Sequence, residues 1–375
     1  MTTNSVRQAR SQWPPVTTGL LVIIGLIFVA MMNVGHQRPD VVGMAFGDQE
    51  PAMVRAGQWW RLITPIFLHA SVPHVALNGL SLWMLGSFME RTYGSRRFFL
   101  IFVVTGICGS LLSQFFLHNA SLGASGAIFG LVGAGMAFPI RFKRLVNPEA
   151  GRSIFRQLLF ITVINLGYGL MESQTIDNYA HIGGLISGLA MGCLLIPEVL
   201  DRRRDSRRAA ALAATCGALG LLILVSGGLQ ALWTHRMLAE GGSWAYKLEE
   251  YGSQSAQRAW QCQLPVTWKT VEGASNGLGI ATGPNGLQLS VTYTPDLPRT
   301  VVTATAAANG YRVSPYSSRD RTVWVLPRAT TATQSALLWS SQAGLLQMSL
   351  TGPKAKRTLF EVLIAFTVPA QGTGR

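Results

Sequence analysis

Long apolar runs dominate the first 233 residues, at 16–34, 73–89, 98–117, 125–140, 154–171, 179–197 and 209–233. A membrane-spanning helix needs roughly 20 predominantly apolar residues, within a range of about 17–25. Asp, Glu, Lys and Arg are absent from all seven runs apart from Arg156, which sits near an end where its long side chain can snorkel. The first run has no small-residue cleavage site behind it and is long enough to span, so it reads as an anchor rather than a removable signal. Beyond about residue 240 the pattern changes to alternation, as in Leu287–Tyr293 and Thr322–Leu326, with Gly283-Pro284-Asn285-Gly286 as a turn signal. The predicted fold class is an all-α polytopic membrane bundle, six helices plus a seventh C-terminal span, followed by a small β-rich or α+β extramembrane domain. The expected divisions are an N-tail at 1–15, a six-span core at 16–200, a basic linker at 201–208, a seventh span at 209–233 and an outer domain at 240–375.

Composition agrees with a membrane location. Charged residues make up 13% of the chain and hydrophobic ones 49%, where soluble domains carry about 25% charged. The formal net charge is +14, from 31 Lys and Arg against 17 Asp and Glu. Its clustering between apolar runs points to a membrane surface, and no nucleic-acid partner is expected. Fourteen cations fall on one side of the expected membrane: the N-tail, Arg91 to Arg97, Arg141 to Arg152 and Arg202 to Arg208. Among the loops between spans, the other side holds only Arg38, Arg55 and Arg61, all at 35–72, and none at 118–124 or 172–178. This asymmetry puts the N-terminus in the cytoplasm and, after seven crossings, the C-terminal domain outside. The four cysteines are too few for a disulfide framework, and Cys262 has no obvious partner within its own domain.

Polar residues inside spans carry the functional information, because hydrocarbon rejects them. On this topology the second, fourth and sixth spans all run from the outer face inward. The second carries His74 and Asn78 in its first turns, the fourth opens with Ser125, and the sixth carries His181 just after its start. The fourth span reaches only about 24 Å, short of a ~30 Å hydrocarbon core. With its inner end fixed by Arg141 and Lys143, its outer end starts below the surface, and the preceding loop at 118–124 must dip in. Gly126, Gly130, Gly133, Gly184, Gly188 and Gly192 allow close helix approach. A serine at a helix start is more often a cap or packing residue, and such glycines are common in helical bundles.

These residues resemble the rhomboid intramembrane serine proteases. Gly123-Ala124-Ser125-Gly126 with Gly130 resembles the GxSGxxxG nucleophile motif, and Ala180-His181-Ile182-Gly183-Gly184 the AHxxG helix. His74 to Asn78 is similar to the HxxxN segment, Trp60-Arg61 to the pair in the first outer loop, and Glu90-Arg91 with Gly94 to an inner loop. Order and spacing agree over roughly residues 55–200. The resemblance implies a serine endopeptidase (hydrolase) in which Ser125 is the nucleophile and His181 the general base, a dyad without an acidic member. It implies oxyanion stabilisation by Asn78, His74 and the backbone N–H of Ser125, with Gly123 as part of the same site. Phe129 would pack against His181, and Trp60-Arg61 would brace the first outer loop.

The implied partners are transmembrane protein substrates and the lipid bilayer, with an unidentified partner open for the C-terminal domain; no cofactor or metal is implied. A multi-pass protein of a bacterial cytoplasmic membrane is expected. Zinc proteolysis would require HExxH, and the chain has no His-Glu pair. Aspartyl proteolysis would require aspartates within the spans. The competing class is a non-proteolytic rhomboid-like protein that binds membrane clients, whose members typically lose the serine or histidine. A transporter would show two related halves.

Overall fold

The computed structural model describes residues 13–34, 39–116, 120–144, 147–172, 175–200 and 206–239, and stretches separated by short gaps between 246 and 369. Most of the expected N-tail, the basic linker at 201–205 and His118 lie outside the described residues, as does the side chain of Cys262. The helices are α1 (Pro15–Val34), α2 (Pro39–Phe46), α3 (Pro51–Arg55), α4 (Val72–Ser81), α5 (Ser87–Tyr93), α6 (Ser95–Phe116), α7 (Ser125–Arg141), α8 (Pro148–Met171), α9 (Asn178–Leu194) and α10 (Ser206–Ala239). Among the described residues, five helical segments are long and apolar enough to cross a membrane: Pro15–Val34, Ser95–Phe116, Pro148–Met171, Asn178–Leu200 and Arg208–Arg236. Helix α7 is shorter. The expected second span is a continuous helical stretch, Val72 to Tyr93, in which α4 and α5 are joined by a π turn at Leu82–Gly86.

The chain divides into two compact units. The first contains residues 1–33, 46–50 and 59–228. Its apolar centre is formed by Phe98, Ile101, Phe102, Leu131, Ala134 and Tyr93, all nearly or fully buried. Helices α7 and α9 lie backbone against backbone: a Cβ added to Gly188 would fall 2.7 Å from the Cα of Gly130, and one added to Gly184 would fall 3.3 Å from the Cα of Gly126. Helix α6 joins them through Gly109, where a Cβ would meet the Ala180 carbonyl oxygen at 2.7 Å. The glycines thus set a three-helix centre in which dispersion and backbone proximity replace the hydrophobic drive that lipid cannot supply. Glu90 anchors α1, accepting from the backbone N–H of Val16 and Thr17 (3.0 and 2.8 Å) and from the hydroxyls of Thr17 and Ser95 (2.8 and 2.7 Å). A carboxylate at a helix N-terminus satisfies donors that the helix itself leaves open.

The second unit contains residues 229–375 and two stretches of the long first loop, 34–45 and 51–58. Its strands are β1 (Tyr246–Ser253), β2 (Arg258–Pro265), β3 (Lys269–Val271), β4 (Leu278–Thr282), β5 (Gln288–Thr294), β6 (Arg312–Val313), β7 (Thr322–Val325), β8 (Thr333–Ser340), β9 (Gly344–Thr351) and β10 (Val368–Pro369), with helix α11 (Arg299–Ala308) between β5 and β6. An antiparallel sheet runs in the order β3-β4-β5-β9-β8-β7-β6, and a smaller one runs β1-β2-β10. Alternation assigns residues to the faces of the larger sheet. Leu289, Val291, Val323, Leu338, Leu346 and Met348 face a core with Trp268, while Trp324, Leu337, Trp339 and Leu345 face Val302 and Ala306 of α11. Met44, Ala45, Ala52 and Met53 of the first loop belong to the Trp268 core. Gln230 and Thr234 of α10 donate to the Ala45 carbonyl at 2.8 and 2.6 Å.

Candidate active site

Helix α7 begins at Ser125, and the chain reaches it through Gly123, whose φ of +133° is strained for any residue with a side chain. The glycine is required twice over, because an added Cβ would also lie 2.8 Å from His74 Nε2. Its N–H donates to the Pro65 carbonyl at 2.9 Å, and Ser121 exchanges two backbone hydrogen bonds with Gln49 at 2.8 and 3.1 Å. Gln49 also donates from its side chain to the Ser110 carbonyl at 2.9 Å. The loop before Ser125 is therefore held from both sides.

Ser125 Oγ and His181 Nε2 are 2.9 Å apart, from helices 56 residues apart in sequence. The ring of Phe129, one turn after Ser125, stacks on His181 with centroids 4.3 Å apart and planes 9° from parallel. This restricts the imidazole to a plane that keeps Nε2 on the serine. His181 Nδ1 is buried and has no hydrogen-bond partner among the described residues. Among the described residues the arrangement is a pair, with no third group hydrogen-bonded to Nδ1.

His74 and Asn78 lie one turn apart on α4. Ser71 caps this helix, accepting from the His74 N–H at 3.3 Å. Asn78 is buried and donates to the His74 carbonyl at 3.1 Å. His74 Nε2 lies at Gly123, and the position of an added Gly123 Cβ would be 3.9 Å from Ser125 Oγ. Ser125, His181, His74 and Gly123 therefore converge, with Asn78 one turn further along α4.

Sequence reasoning missed the polar supports at the start of α9. Asp177 is the N-cap of α9: its Oδ1 accepts from Ala180 N–H at 2.9 Å and its Oδ2 from Ser113 Oγ at 2.5 Å. Asn178 Nδ2 donates to the Leu166 carbonyl of α8 at 3.1 Å. The first turn of α9 is thus tied to α6 and α8 immediately before His181. An Asp three residues before the first N–H it can cap is a recognisable helix-start signal, but Ser113 is 64 residues away and carries none. His69 is buried beside His74, with ring centroids 4.9 Å apart. Burial first, and then the neighbouring His74, push its pKa from 6.5 down to about 3, so it is neutral at ordinary pH. Arg61 is fully buried and donates to the Asp48 carbonyl at 3.0 Å and carboxylate at 3.2 Å, fixing the first loop.

The site lies within a stretch that matches known proteins. Residues 56–198 match the Rhomboid domain family. The chain is 40% identical over 187 residues to Rhomboid protease GluP of Bacillus subtilis, covering 49% of this chain and 36% of that protein. It is 32% identical over 250 residues to RHOMBOID-like protein 4 of Arabidopsis thaliana, covering 64% and 61%. With Rhomboid-like protease 1 of Toxoplasma gondii it shares 32% over 160 residues, 42% and 54% of the two chains. The match spans about a third of the length of the Bacillus protein. Several apolar helices of spanning length make this a multi-pass membrane protein, and its residues 56–198 match a Rhomboid domain.

Proposed function

We propose that this protein is an intramembrane serine endopeptidase that hydrolyses a peptide bond in or near the transmembrane segment of membrane-protein substrates. The observation that carries the reading is the 2.9 Å approach of Ser125 Oγ to His181 Nε2 beneath the Phe129 ring. Ser125 attacks the scissile carbonyl as His181 Nε2 takes its proton. His181 then delivers that proton to the leaving amine, and a water molecule, activated in the same way, releases the acyl group from Ser125. His181 must be neutral to begin, with its proton on Nδ1. Asn78, His74 and the backbone N–H of Ser125 stabilise the oxyanion, whereas the Gly123 N–H is taken by the Pro65 carbonyl, so that Gly123 shapes the loop rather than donating. Removal of one such donor typically costs about 2.7–4 kcal/mol of barrier.

In this reading six spans form the catalytic core at 16–200 and a seventh follows at 209–233. The cation asymmetry puts the N-terminus in the cytoplasm, the dyad near the outer side and the 240–375 domain outside, in a bacterial cytoplasmic membrane. Helix α7 starts at Ser125 and is too short for the whole hydrocarbon core, so the serine is recessed where water must be admitted by protein rather than by lipid. Substrate helices must unwind locally to present a carbonyl, which favours helix-weakening residues at the cut. The test is cleavage of a fluorescent transmembrane substrate by the reconstituted protein. Binding of clients without any cleavage by the wild-type chain would instead identify a non-proteolytic client-binding protein.

A further inference from the structure

At the opposite end of α7 from Ser125 a cleft of about 440 Å³ opens between the last turn of α7 and the first turns of α8. Its walls carry Lys143, Arg152 and Arg156 beside Ile140 and Phe155. We propose that this cleft binds the phosphate headgroup of an anionic phospholipid, with the acyl chains running along the apolar face of α8.

Four observations carry this. The cations approach one cleft from two elements, Lys143 from the turn after α7 and Arg152 and Arg156 from successive turns of α8. None of the three has a carboxylate partner among the described residues, and Glu149, three residues before Arg152, forms no ion pair with it. Arg156 lies eight residues into α8, roughly 12 Å along the helix at 1.5 Å per residue, and it is exposed. A guanidinium at that depth needs an anion or a route to water, because hydrocarbon offers neither. Beyond it, Phe160, Val163 and Ile164 are 67%, 60% and 56% exposed, a lipid-facing surface that begins where the cations end. A charged cleft continuous with an apolar helix face matches a phospholipid, which joins a phosphate to chains, and basic pockets between membrane helices are known to take such headgroups. A free phosphate would need the cations but would leave the exposed Ile140 at the cleft and the apolar face beyond it uncovered.

The experiment is native mass spectrometry of the full chain in mild detergent, titrated separately with phosphatidylglycerol, phosphatidylcholine and inorganic phosphate. Phosphatidylglycerol should be retained about tenfold or more over phosphatidylcholine, and the Lys143→Gln/Arg152→Gln/Arg156→Gln variant should lose that preference. The charge-matched control Arg91→Gln/Arg96→Gln/Arg97→Gln should keep it. Lys143→Gln alone, on an exposed turn, should weaken retention severalfold and covers the case in which the triple variant misfolds. Equal loss in the control would make the attraction diffuse and overturn the site. Retention of inorganic phosphate with the same dependence on the three cations, and no preference among lipids, would overturn the lipid as its occupant.

Discussion

Asp177 reaches across to Ser113 at 2.5 Å while capping the helix that carries His181 four residues later. Each carboxylate oxygen holds one of these donors and His181 Nδ1 has no hydrogen-bond partner among the described residues, so Asp177 sets where α9 begins rather than acting as a third member of the dyad. Asp177→Ala removes a helix cap, worth about 1 kcal/mol, and leaves the Ser113 hydroxyl without its acceptor. It should lower proteolysis about tenfold. Asp177→Asn keeps an oxygen for the cap and should retain activity within about threefold. Initial-rate measurements on both variants check this; equal, severe loss in both would mean that the charge itself matters.

Arg61 is the second anchor. A buried pair broken by removal of one partner typically costs about 3–5 kcal/mol. Arg61→Ala should therefore lower the midpoint of thermal unfolding in detergent by several degrees. Lysine should not rescue it, because a single ammonium does not reproduce the planar donor set that meets the Asp48 carbonyl and carboxylate.

The α7–α9 contact tolerates nothing larger than hydrogen. Gly188→Val would drive its side chain into the Gly130 backbone, and overpacking of this kind costs about 1–3 kcal/mol or more. The expected result is separation of the two helices and near-complete loss of cleavage. Gly220→Ala on α10, where an added Cβ meets nothing within 4 Å, should be silent in the same assay.

His69 makes stability depend on pH. Its pKa lies at about 3 in the folded chain against 6.5 when unfolded, so the unfolded state takes up the proton first. Its contribution to stability is whole above about pH 6.5 and is progressively lost as pH falls from there toward 3. His69→Phe keeps a ring against His74 and removes the titration. Thermal unfolding between pH 4 and 7 should show a shallower acid slope in that variant than in the wild type.

The legible part of the site was the part written locally. Ser125 stands in a glycine-rich motif at the start of an apolar run, and His181 is conspicuous because a span carries few histidines. Gly123 was readable as part of the same motif, though its φ of +133° was not. The supports were not legible, because they join residues with no local signature. Ser113 is one small polar residue in an apolar run, and its meaning comes from Asp177 at the end of a distant loop. The π turn at Leu82–Gly86 was likewise hidden within a continuous apolar stretch. Met44 and Met53 looked like loop residues between spans, yet they lie in the Trp268 core. An eight-residue helix and a five-residue helix are too short to show a dependable period.

The central claim is tested most directly by one measurement: cleavage of a fluorescent transmembrane substrate in liposomes by wild-type, Ser125→Ala and His181→Ala protein at matched folded concentration. The account predicts cleavage by the wild type and a loss of about 10³-fold or more in each variant, with the double variant no worse than either single one, because the two residues act as a unit. Undiminished cleavage by either single variant would contradict it.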